Sequence, residues 1–479
     1  MPLQCCTNDA QMLRRSHPNC CAIEIPPMDP FYSQFSRRCM DMVRSEILDS
    51  SACSENDILQ IIMVSHYQDM SFTYGSTEDE MNSLRTFSGG EMKAKILPGW
   101  KGGESRMFMP NNDKPMENCF VRSENEPCYK AGDGRVNENL GLAGLQTLLL
   151  REHNRVARIL QEMHPYWDDE TLFQETKRIL IAEWQYITFN DFLPKIIEEG
   201  FTDVYIPEVD SSTMNEFTAA AFRFPHSLIQ GTFELTSEKR CPFKSYWLRD
   251  FYMRPGKIEK GDNLDALLRG TSTQACQAPD RHFVKDITLF LMRNRLPFGD
   301  DLEATDVQRG RDHGLPSYND MRFYCGLRRA TIFEDFLDVM SEKNVLRLKS
   351  LYRHVDAVDF FVGGSLEFPG VMGDSNALVG HTFGCVIGEQ FWRWKFGDRH
   401  FFDLIGQAGS FTLEQINGIK KTSLSAMMCE NLSIKFIQRD AFLQVFQGNE
   451  LKNCNDIEKM DLSGWINFTP SDACGAEPV

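Results

Sequence analysis

The stretch from Ala131 to Leu160, AGDGRVNENLGLAGLQTLLLREHNRVARIL, joins a glycine-rich turn to a long apolar repeat. The turn holds an arginine, Arg135, and a carboxylate, Glu138, three residues apart. Apolar residues then recur with the spacing of one helix face, at Leu145, Leu148, Leu149, Val156, Ile159, Leu160 and Met163. This pattern predicts a long amphipathic helix that begins directly after a charged turn.

Other segments of the chain also favour helices. Residues Glu170 to Glu199 carry a second apolar face and predict another long helix. Thr412-Leu-Glu-Gln415 has the pattern of a capping box, which predicts a helix from there to about Met428. Strand-like alternation is scarce, and no repeat or linker divides the chain. We therefore predict a mainly α fold with long loops and little β, in a single large domain over residues 1–479.

Composition excludes several classes of partner. The chain has 479 residues, of which 42% are hydrophobic, so it can bury a large core. A net charge of −17 argues against binding to nucleic acid or to an anionic membrane surface. No apolar run is long enough for a transmembrane segment. The N-terminal residues also lack the apolar core of a signal peptide.

The cysteines nevertheless indicate an oxidising compartment. There are 15, several of them close together in sequence, which favours disulfides over a metal site. Asn431-Leu-Ser and Asn467-Phe-Thr match the glycosylation pattern of secreted glycoproteins. We predict a secreted, extracellular protein, and we expect that its signal peptide belongs to a natural N-terminus missing from this sequence.

Two further motifs accompany the opening stretch: FRFPHSLIQ at Phe222 to Gln230 and VQRGRDHGLPSYN at Val307 to Asn319. Together the three resemble the animal haem peroxidases, and the resemblance runs from about Cys5 to Trp465. It implies a mainly helical haem-peroxidase domain with haem b as cofactor. It also implies reduction of hydrogen peroxide with oxidation of a small donor, a halide or a phenolic or tyrosyl group, in response to oxidative stress.

His226 is the candidate ligand of the haem iron, since such chemistry needs one protein ligand and one open face on the metal. A lone histidine in an apolar segment is more often a satisfied core residue, but the surrounding motif favours ligation. Pro225 stands where the family usually has glycine. Arg223 resembles the arginine that pairs with a haem propionate; the alternative is a surface arginine.

Asp306 resembles the residue that accepts a hydrogen bond from the ligating imidazole. An ionised carboxylate there would make the imidazole a stronger donor to the iron. The alternative is that Asp306 caps a helix. Nearby charged residues are interpreted as a structural network, because buried charges must be paired; they are Arg309, Arg311, Asp312 and His313.

The resemblance assigns catalysis to the opening turn. Arg135 would stabilise the negative charge that develops on the departing oxygen of peroxide. Glu138 resembles the glutamate that forms an ester with a haem methyl group. Asn139 stands where one relative has a methionine that makes a further haem bond, so that bond is not expected here. Arg151, Glu152 and His153, on the predicted helix, are interpreted as ion-pair scaffolding.

A calcium loop is also implied. Alternating residues of the segment SHYQDMS resemble the family's oxygen ligands, with Tyr67 contributing its carbonyl; they are Ser65, Tyr67, Asp69 and Ser71. The family's further aspartate ligand is not found in this sequence, so the affinity for calcium should be lower.

The family keeps a catalytic distal histidine before the segment that begins here at His17, and residues 1–16 contain no histidine. His66 is rejected as a substitute, because the residues after it continue the calcium loop. His17 precedes Pro18 and is interpreted as part of a turn. We therefore expect a chain that is incomplete at its N-terminus.

Other functions stay open. One is a haem-binding pseudoperoxidase or an adhesion protein that lacks the distal histidine; Lys260-Gly261-Asp262 resembles an integrin-binding tripeptide. Another is a helical protein that binds no haem.

The resemblance further implies a set of disulfide pairs: Cys119 with Cys128, Cys39 with Cys53, Cys325 with Cys385, and Cys429 with Cys454. Four more cysteines would then pair among themselves: Cys5, Cys6, Cys20 and Cys21. Three cysteines are left over, so at least one free thiol is expected: Cys241, Cys276 and Cys474.

Overall fold

The computed structural model describes residues 3–7, 17–48, 59–123, 125–197, 204–370 and 377–468. Within these residues helices predominate, and the named strands form only four antiparallel pairs. The prediction of a mainly α fold with little β is confirmed. The assignment of residues 1–479 to a single domain stays a prediction.

The α-helices are numbered along the chain. They are α1 Ser71–Tyr74, α2 Glu78–Leu84, α3 Pro115–Asn118, α4 Leu140–Met163, α5 Asp169–Tyr186, α6 Asn215–Ala219, α7 Leu248–Phe251, α8 Asn263–Thr271, α9 Lys285–Thr288, α10 Leu302–Asp312, α11 Tyr318–Tyr324, α12 Glu342–Leu351, α13 Phe360–Gly364, α14 His381–Phe396, α15 Leu413–Ile419 and α16 Leu424–Asn431.

The strands are short and pair in chain order, β1 with β2, β3 with β4, β5 with β6, and β7 with β8. They are β1 Ile23–Glu24, β2 Cys39–Met40, β3 Lys95–Leu97, β4 Arg106–Phe108, β5 Thr232–Thr236, β6 Pro242–Trp247, β7 Phe436–Gln438 and β8 Leu451–Asn453. Two 3₁₀ turns matter for the site: Gly134–Asn137 and Ala221–Leu228.

Helix α4 is the long helix that the opening stretch predicts. The side chain of Asn139 caps its start by accepting a hydrogen bond from the backbone N–H of Leu142 at 2.9 Å. The apolar residues of one face are buried against α5, α8 and α16. The charged turn therefore leads directly into a helix that is buried against three others.

Two helix predictions are wrong in their ends. The second long helix stops being α-helical at Tyr186, widens into a π turn over Ile187–Phe192 and ends in a 3₁₀ turn. Pro194 lies in that last turn, where it lacks the N–H that would continue the helix. The capping box at Thr412 is present, but α15 ends at Ile419, and a new helix, α16, begins after its own cap, Ser423.

One large hydrophobic cluster runs through the described residues from Met70 to Phe468. Two small clusters lie beside it. One contains Ile25, Tyr32 and Met40, and the other contains Leu248, Tyr252 and Ile287. The burial of Trp465, which has no exposed surface, attaches the C-terminal segment to the main cluster.

The disulfide pattern confirms three implied pairs and corrects others. Cys119–Cys128, Cys325–Cys385 and Cys429–Cys454 are bonded. Cys39, however, is bonded to Cys6, so its pairing with Cys53 is wrong. Cys39 lies in β2, opposite Glu24 of β1, and its disulfide joins this strand pair to the segment of Cys6.

The N-terminal cysteines accordingly do not pair only among themselves. Cys5 is bonded to Cys20, while Cys21 is free. Cys241 and Cys276 are free and exposed. The predictions for Cys53 and Cys474 fall outside the described residues.

Candidate active site

A buried carboxylate connects the predicted iron ligand to a helix behind it. The 3₁₀ turn Ala221–Leu228 carries His226, and helix α10 carries Asp306. Nδ1 of His226 lies 2.5 Å from one carboxylate oxygen of Asp306. The other oxygen of Asp306 accepts a hydrogen bond from the guanidinium of Arg223. Because Asp306 is fully buried, it must be satisfied by these two partners.

This contact determines which nitrogen of His226 is free. An ionised carboxylate only accepts hydrogen bonds, so the proton of the neutral imidazole lies on Nδ1 and the lone pair on Nε2. Within the described residues, no protein group hydrogen-bonds to Nε2 of His226. The side chain is 23% exposed, so a ligand can reach it. The arrangement matches that of metal-binding histidines, whose second nitrogen donates to a carboxylate.

A third acidic residue lies beside this pair. Single ligand atoms of His226, Glu303 and Asp306 all lie within 4.8 Å of one another. Both carboxylate oxygens of Glu303 are buried and have no hydrogen-bond partner within the described residues. Burial, followed by the charges of Asp306 and Asp301, raises the pKa of Glu303 to about 9. Glu303 is therefore held as a neutral acid at pH 7.

Arg135 lies in the 3₁₀ turn Gly134–Asn137, immediately before α4. Its Nε and Nη2 atoms donate to the carboxylate of Asp133 at 3.0 and 2.5 Å. Asp133 also accepts from the backbone N–H of Arg135 at 2.8 Å and so caps the turn. Hydrogen bonding between the two side chains lowers the pKa of Asp133 and raises the pKa of Arg135.

Glu138 lies within electrostatic reach of both Arg135 and His226. Burial is the largest effect on it and raises the pKa of its carboxyl, while the positive charge of Arg135 opposes that rise. Within the described residues, no donor hydrogen-bonds to the Glu138 carboxyl. The structure thus brings together three predicted site residues from two distant parts of the chain, with Glu138 near both of the others.

The donor set fits a haem. One imidazole has its Nδ1 committed to a carboxylate and its Nε2 unengaged. The carboxyl of Glu138, which has no hydrogen-bond donor among the described residues, lies within electrostatic reach of this imidazole and of the guanidinium of Arg135, whose side chain is 72% exposed. These are the group types that ligate iron, tether a porphyrin edge and stabilise negative charge on a bound oxygen.

The predicted calcium loop has a regular local geometry. The hydroxyl of Ser65 accepts from the N–H of Tyr67 at 3.2 Å, and the carboxylate of Asp69 accepts from the N–H of Ser71 at 3.0 Å. The largely buried Asp398 is a second carboxylate in this region. Burial raises the pKa of Asp398, and the nearby charge of Asp69 adds to the rise. The sequence alone did not indicate Asp398 as a neighbour of the loop.

The other histidines considered in the sequence analysis form contacts with other groups. Nε2 of His66 lies 3.2 Å from the hydroxyl of Ser211. Nδ1 of His17 accepts the N–H of Asn19 at 3.2 Å, which forms the predicted turn. His153 is fully buried, between the hydroxyl of Tyr74 at 2.9 Å and the carbonyl of Gly90 at 2.8 Å.

The charged cluster after Asp306 forms ion pairs across the structure. Asp312 pairs with Arg44 and Arg309, and Arg311 pairs with Asp359. His313 lies 2.7 Å from the hydroxyl of Ser45. The cluster therefore ties α10, and with it Asp306, to the N-terminal segment and to α13.

Asp133 and Glu303 are site residues that the sequence reasoning missed. Asp133 stands inside the string AGDGR, two residues before Arg135, and a carboxylate that close to an arginine was a usable signal. Glu303 lies three residues before Asp306, on the same face of a helix. Only the fold shows that this face meets His226.

Known proteins with similar sequences indicate the family of this chain. The sequence model described as "Animal haem peroxidase" matches residues 1–442. A peroxidase of Drosophila melanogaster is 40% identical over 97% of this chain and 69% of its own length. The chorion peroxidase of the same species is 35% identical over 97% of this chain and 58% of its own length.

A solved structure shows the same fold. Peroxidase A from Dictyostelium discoideum superposes with a TM-score of 0.74 and 28% identity, over 90% of this chain and 84% of that chain. The protein described here belongs to the animal haem peroxidase family. It spans 69% and 58% of the length of the two Drosophila relatives.

Proposed function

We propose that this chain is a haem-dependent peroxidase that reduces hydrogen peroxide and oxidises a small donor, a halide or a phenolic or tyrosyl group. The observation that carries the proposal is the 2.5 Å contact between His226 and Asp306, with Arg135 and Glu138 nearby. Family membership supports the same chemistry.

The proposed roles follow from the contacts of each side chain. When bound, haem supplies a redox-active iron at which peroxide is reduced and a donor is oxidised. Nε2 of His226 would hold the iron, and Asp306 would orient the imidazole and increase its electron donation. Arg135 would stabilise negative charge on the departing oxygen through its permanent positive charge.

Glu138 and Arg223 would bind the porphyrin itself. The carboxyl of Glu138 has a raised pKa and no protein donor among the described residues, which suits an ester bond to a haem methyl group. Arg223 uses one part of its guanidinium for Asp306 and donates from Nε to the carbonyl of Thr218 at 2.8 Å. Its remaining N–H groups would pair with a propionate.

A second candidate function is a haem-binding pseudoperoxidase. The observation that favours it is the contact between Nε2 of His66 and the hydroxyl of Ser211, which occupies one nitrogen of the histidine that could otherwise replace the base that moves a proton between the peroxide oxygens. Loss of that base would lower the rate of the proton-transfer step by about 10²–10⁴-fold. Haem binding would persist.

Reconstitution with haem distinguishes these functions. The peroxidase proposal expects a Soret band that requires His226, together with guaiacol oxidation that depends on peroxide. A Soret band without turnover supports the pseudoperoxidase. Absence of a Soret band at any haem concentration rules out both and leaves a helical protein without haem.

We further propose that the loop of Ser65, Tyr67, Asp69 and Ser71 binds calcium. Support comes from the two carboxylates, Asp69 and Asp398, in one region. Metal analysis after dialysis against calcium would find about one ion per chain in the wild type and none in Asp69→Asn. Retention of calcium by Asp69→Asn contradicts the proposal.

We also propose that the protein is extracellular, because it has five disulfides among the described residues. No helix in the described part of the chain is long and apolar enough to cross a membrane. An integrin-binding role for Lys260-Gly261-Asp262 is a proposal supported only by exposure: both charged residues are exposed at the turn before α8. Cell adhesion that survives exchange of Asp262 for Ala rules that role out.

A further inference from the structure

The proposed function needs the guanidinium of Arg135 at one fixed place, yet Arg135 itself is poorly held by packing. Its side chain is 72% exposed, whereas that of Asp133 is only 14% exposed. A long exposed side chain samples many rotamers. Some other group must therefore fix the guanidinium.

The carboxylate of Asp133 provides that fixation along one edge of the guanidinium. Nε of Arg135 lies 3.0 Å from Oδ1 and 3.2 Å from Oδ2 of Asp133, and Nη2 lies 2.5 Å from Oδ2. A bidentate pair of this kind sets direction as well as distance. Within the described residues, Nη1 of Arg135 has no acceptor, so this part of the guanidinium is free for a ligand.

Asp133 is itself anchored through its backbone. Its N–H donates to the carbonyl of Phe72 at 3.0 Å, and the N–H of Gly132 donates to the carbonyl of Thr73 at 3.1 Å. Both acceptors lie on α1. A Cβ on Gly132 would lie 2.2 Å from the backbone nitrogen of Gly75, so only glycine permits this approach.

The same segment joins the proposed calcium loop. Ser71, the first residue of α1, donates its N–H to the carboxylate of Asp69 at 3.0 Å. The turn that follows Asp133 is anchored on its other side by Asn137, which exchanges two hydrogen bonds of 2.8 Å with the backbone of Tyr129. Asp133 thus stands on a backbone held from both directions.

We propose that Asp133 is the positioning residue of Arg135: it holds the Nε–Nη2 edge and leaves Nη1 to bind the negatively charged end of a peroxide or another small anion at the haem. The proposal rests on the proposed function, because it concerns the residue given the charge-stabilising role there. Asp133 touches no substrate in this arrangement and acts only through Arg135.

An experiment without haem tests whether Asp133 holds the guanidinium of Arg135. The full chain is treated with phenylglyoxal, which modifies accessible guanidinium groups, and adducts at Arg135 are followed by peptide mass spectrometry. We expect several-fold faster modification in Asp133→Asn, which keeps the oxygen that caps the turn but loses the charge. Asp113→Asn is the matched control, because Asp113 is 82% exposed and pairs with Lys130 rather than with Arg135. Equal rates in wild type and Asp133→Asn would overturn the proposal.

A haem-loaded experiment tests the consequence. Fluoride binding to the ferric protein is titrated by visible absorption. We expect affinity to fall about tenfold in Asp133→Asn, since charge-assisted hydrogen bonds are among the stronger ones. Arg135→Lys should lose a similar factor, and the double variant little more, because residues that act together are not additive. Unchanged fluoride affinity in Asp133→Asn overturns the proposal.

These experiments distinguish failure of the proposed peroxidase function from failure of the positioning role of Asp133. If the wild type binds haem without turnover, the proposed function fails while fluoride binding still reports on Asp133. If it binds no haem, phenylglyoxal modification alone decides. Should Asp133→Asn not fold, Asp133→Glu replaces it; the charge stays and the reach changes by one methylene, so an intermediate rate is expected.

Discussion

Nδ1 of His226 lies 2.5 Å from the carboxylate of Asp306, which is fully buried and is also bonded to Arg223. The two partners come from segments 80 residues apart in the chain. The contact leaves Nε2 of His226 without a protein partner among the described residues, and a carboxylate acceptor makes an imidazole more electron-rich.

Removing the negative charge of Asp306 should change the reduction potential of bound haem and leave the protein folded. In Asp306→Asn we expect haem to bind still, with a reduction potential more positive than that of the wild type, because a neutral amide polarises the imidazole less. Spectroelectrochemical titration of the Soret band measures this. Asp359→Asn, which removes the partner of Arg311 on the same helix, is the control and should leave the potential unchanged. Equal potentials in wild type and Asp306→Asn would contradict the proposed role.

Substitutions at Glu303 and at Asp301, which lie within one turn of each other, should have opposite effects on stability. Replacement Glu303→Gln should raise the free energy of unfolding at pH 7 by about 1–3 kcal/mol. Burial raises the pKa of Glu303 to about 9, so folding must protonate a carboxyl that is ionised in the unfolded chain, and a neutral amide removes that cost. Asp301→Ala should lower the free energy of unfolding by about 1 kcal/mol, since Asp301 caps α10 by accepting the N–H groups of Glu303 and Ala304. Thermal unfolding at pH 7 compares the two. A lower melting temperature for Glu303→Gln would show that its carboxyl has a partner in solution.

His153 should make the protein sensitive to mild acid. Burial lowers the pKa of His153 from 6.5 to about 4. Between these pH values His153 is protonated in the unfolded state but stays neutral in the folded state. Stability is therefore complete above pH 6.5 and is lost as the pH falls from 6.5 towards 4, by at most about 3 kcal/mol. Denaturant unfolding at pH 7 and pH 5 measures the loss. His153→Gln, which still can donate to the carbonyl of Gly90, should show a smaller difference between the two pH values.

Asn431 is predicted to be a structural residue rather than a glycan carrier. Its Nδ2, the atom that would carry a glycan, donates to Glu152 at 2.5 Å and to the carbonyl of Met427 at 2.9 Å. Asn431→Ala should cost about 1–3 kcal/mol of unfolding free energy, because the buried carboxylate of Glu152 loses a donor. Asn467→Ala is the matched control; Asn467 is exposed, and the change should stay within about 0.5 kcal/mol. Glycopeptide analysis that finds a glycan on Asn431 of the folded protein would refute this.

The pairing of Cys6 with Cys39 can be tested by thiol labelling. In Cys6→Ala, Cys39 should react with iodoacetamide in denaturant without reduction, because it is buried in the folded protein, and stability should fall by about 2–4 kcal/mol. In Cys53→Ala, Cys39 should stay protected. The opposite result would restore the pairing that the family resemblance implied.

The helical character of the chain was predictable because it is a local property. The apolar spacing after Leu142 and the cap at Asn139 are both readable over a few residues, and α4 forms where they indicate. Helix ends were less predictable. The widened turn after Tyr186 and the break after Ile419 depend on how neighbouring segments pack, and short-range patterns carry little of that information.

The disulfides also divide into one that local spacing predicts and one that depends on the tertiary structure. Cys119 and Cys128 are nine residues apart, and a staple over a short loop could be expected. The Cys6–Cys39 bond spans 33 residues, and it joins segments that no short-range pattern relates. Cysteine spacing permits many connectivities and does not select among them.

By itself, the sequence determined the residue types of the site and their family: an imidazole, a carboxylate beside an arginine-rich segment, and a guanidinium in a glycine-rich turn. Only the tertiary structure decided that Asp306 faces Nδ1 of His226, that Glu303 lies beside them without a hydrogen-bond partner among the described residues, and that Asp133 binds Arg135. The reason is physical. Residue chemistry is carried by each side chain, whereas hydrogen-bond partners and burial depend on which distant segments the hydrophobic core brings together.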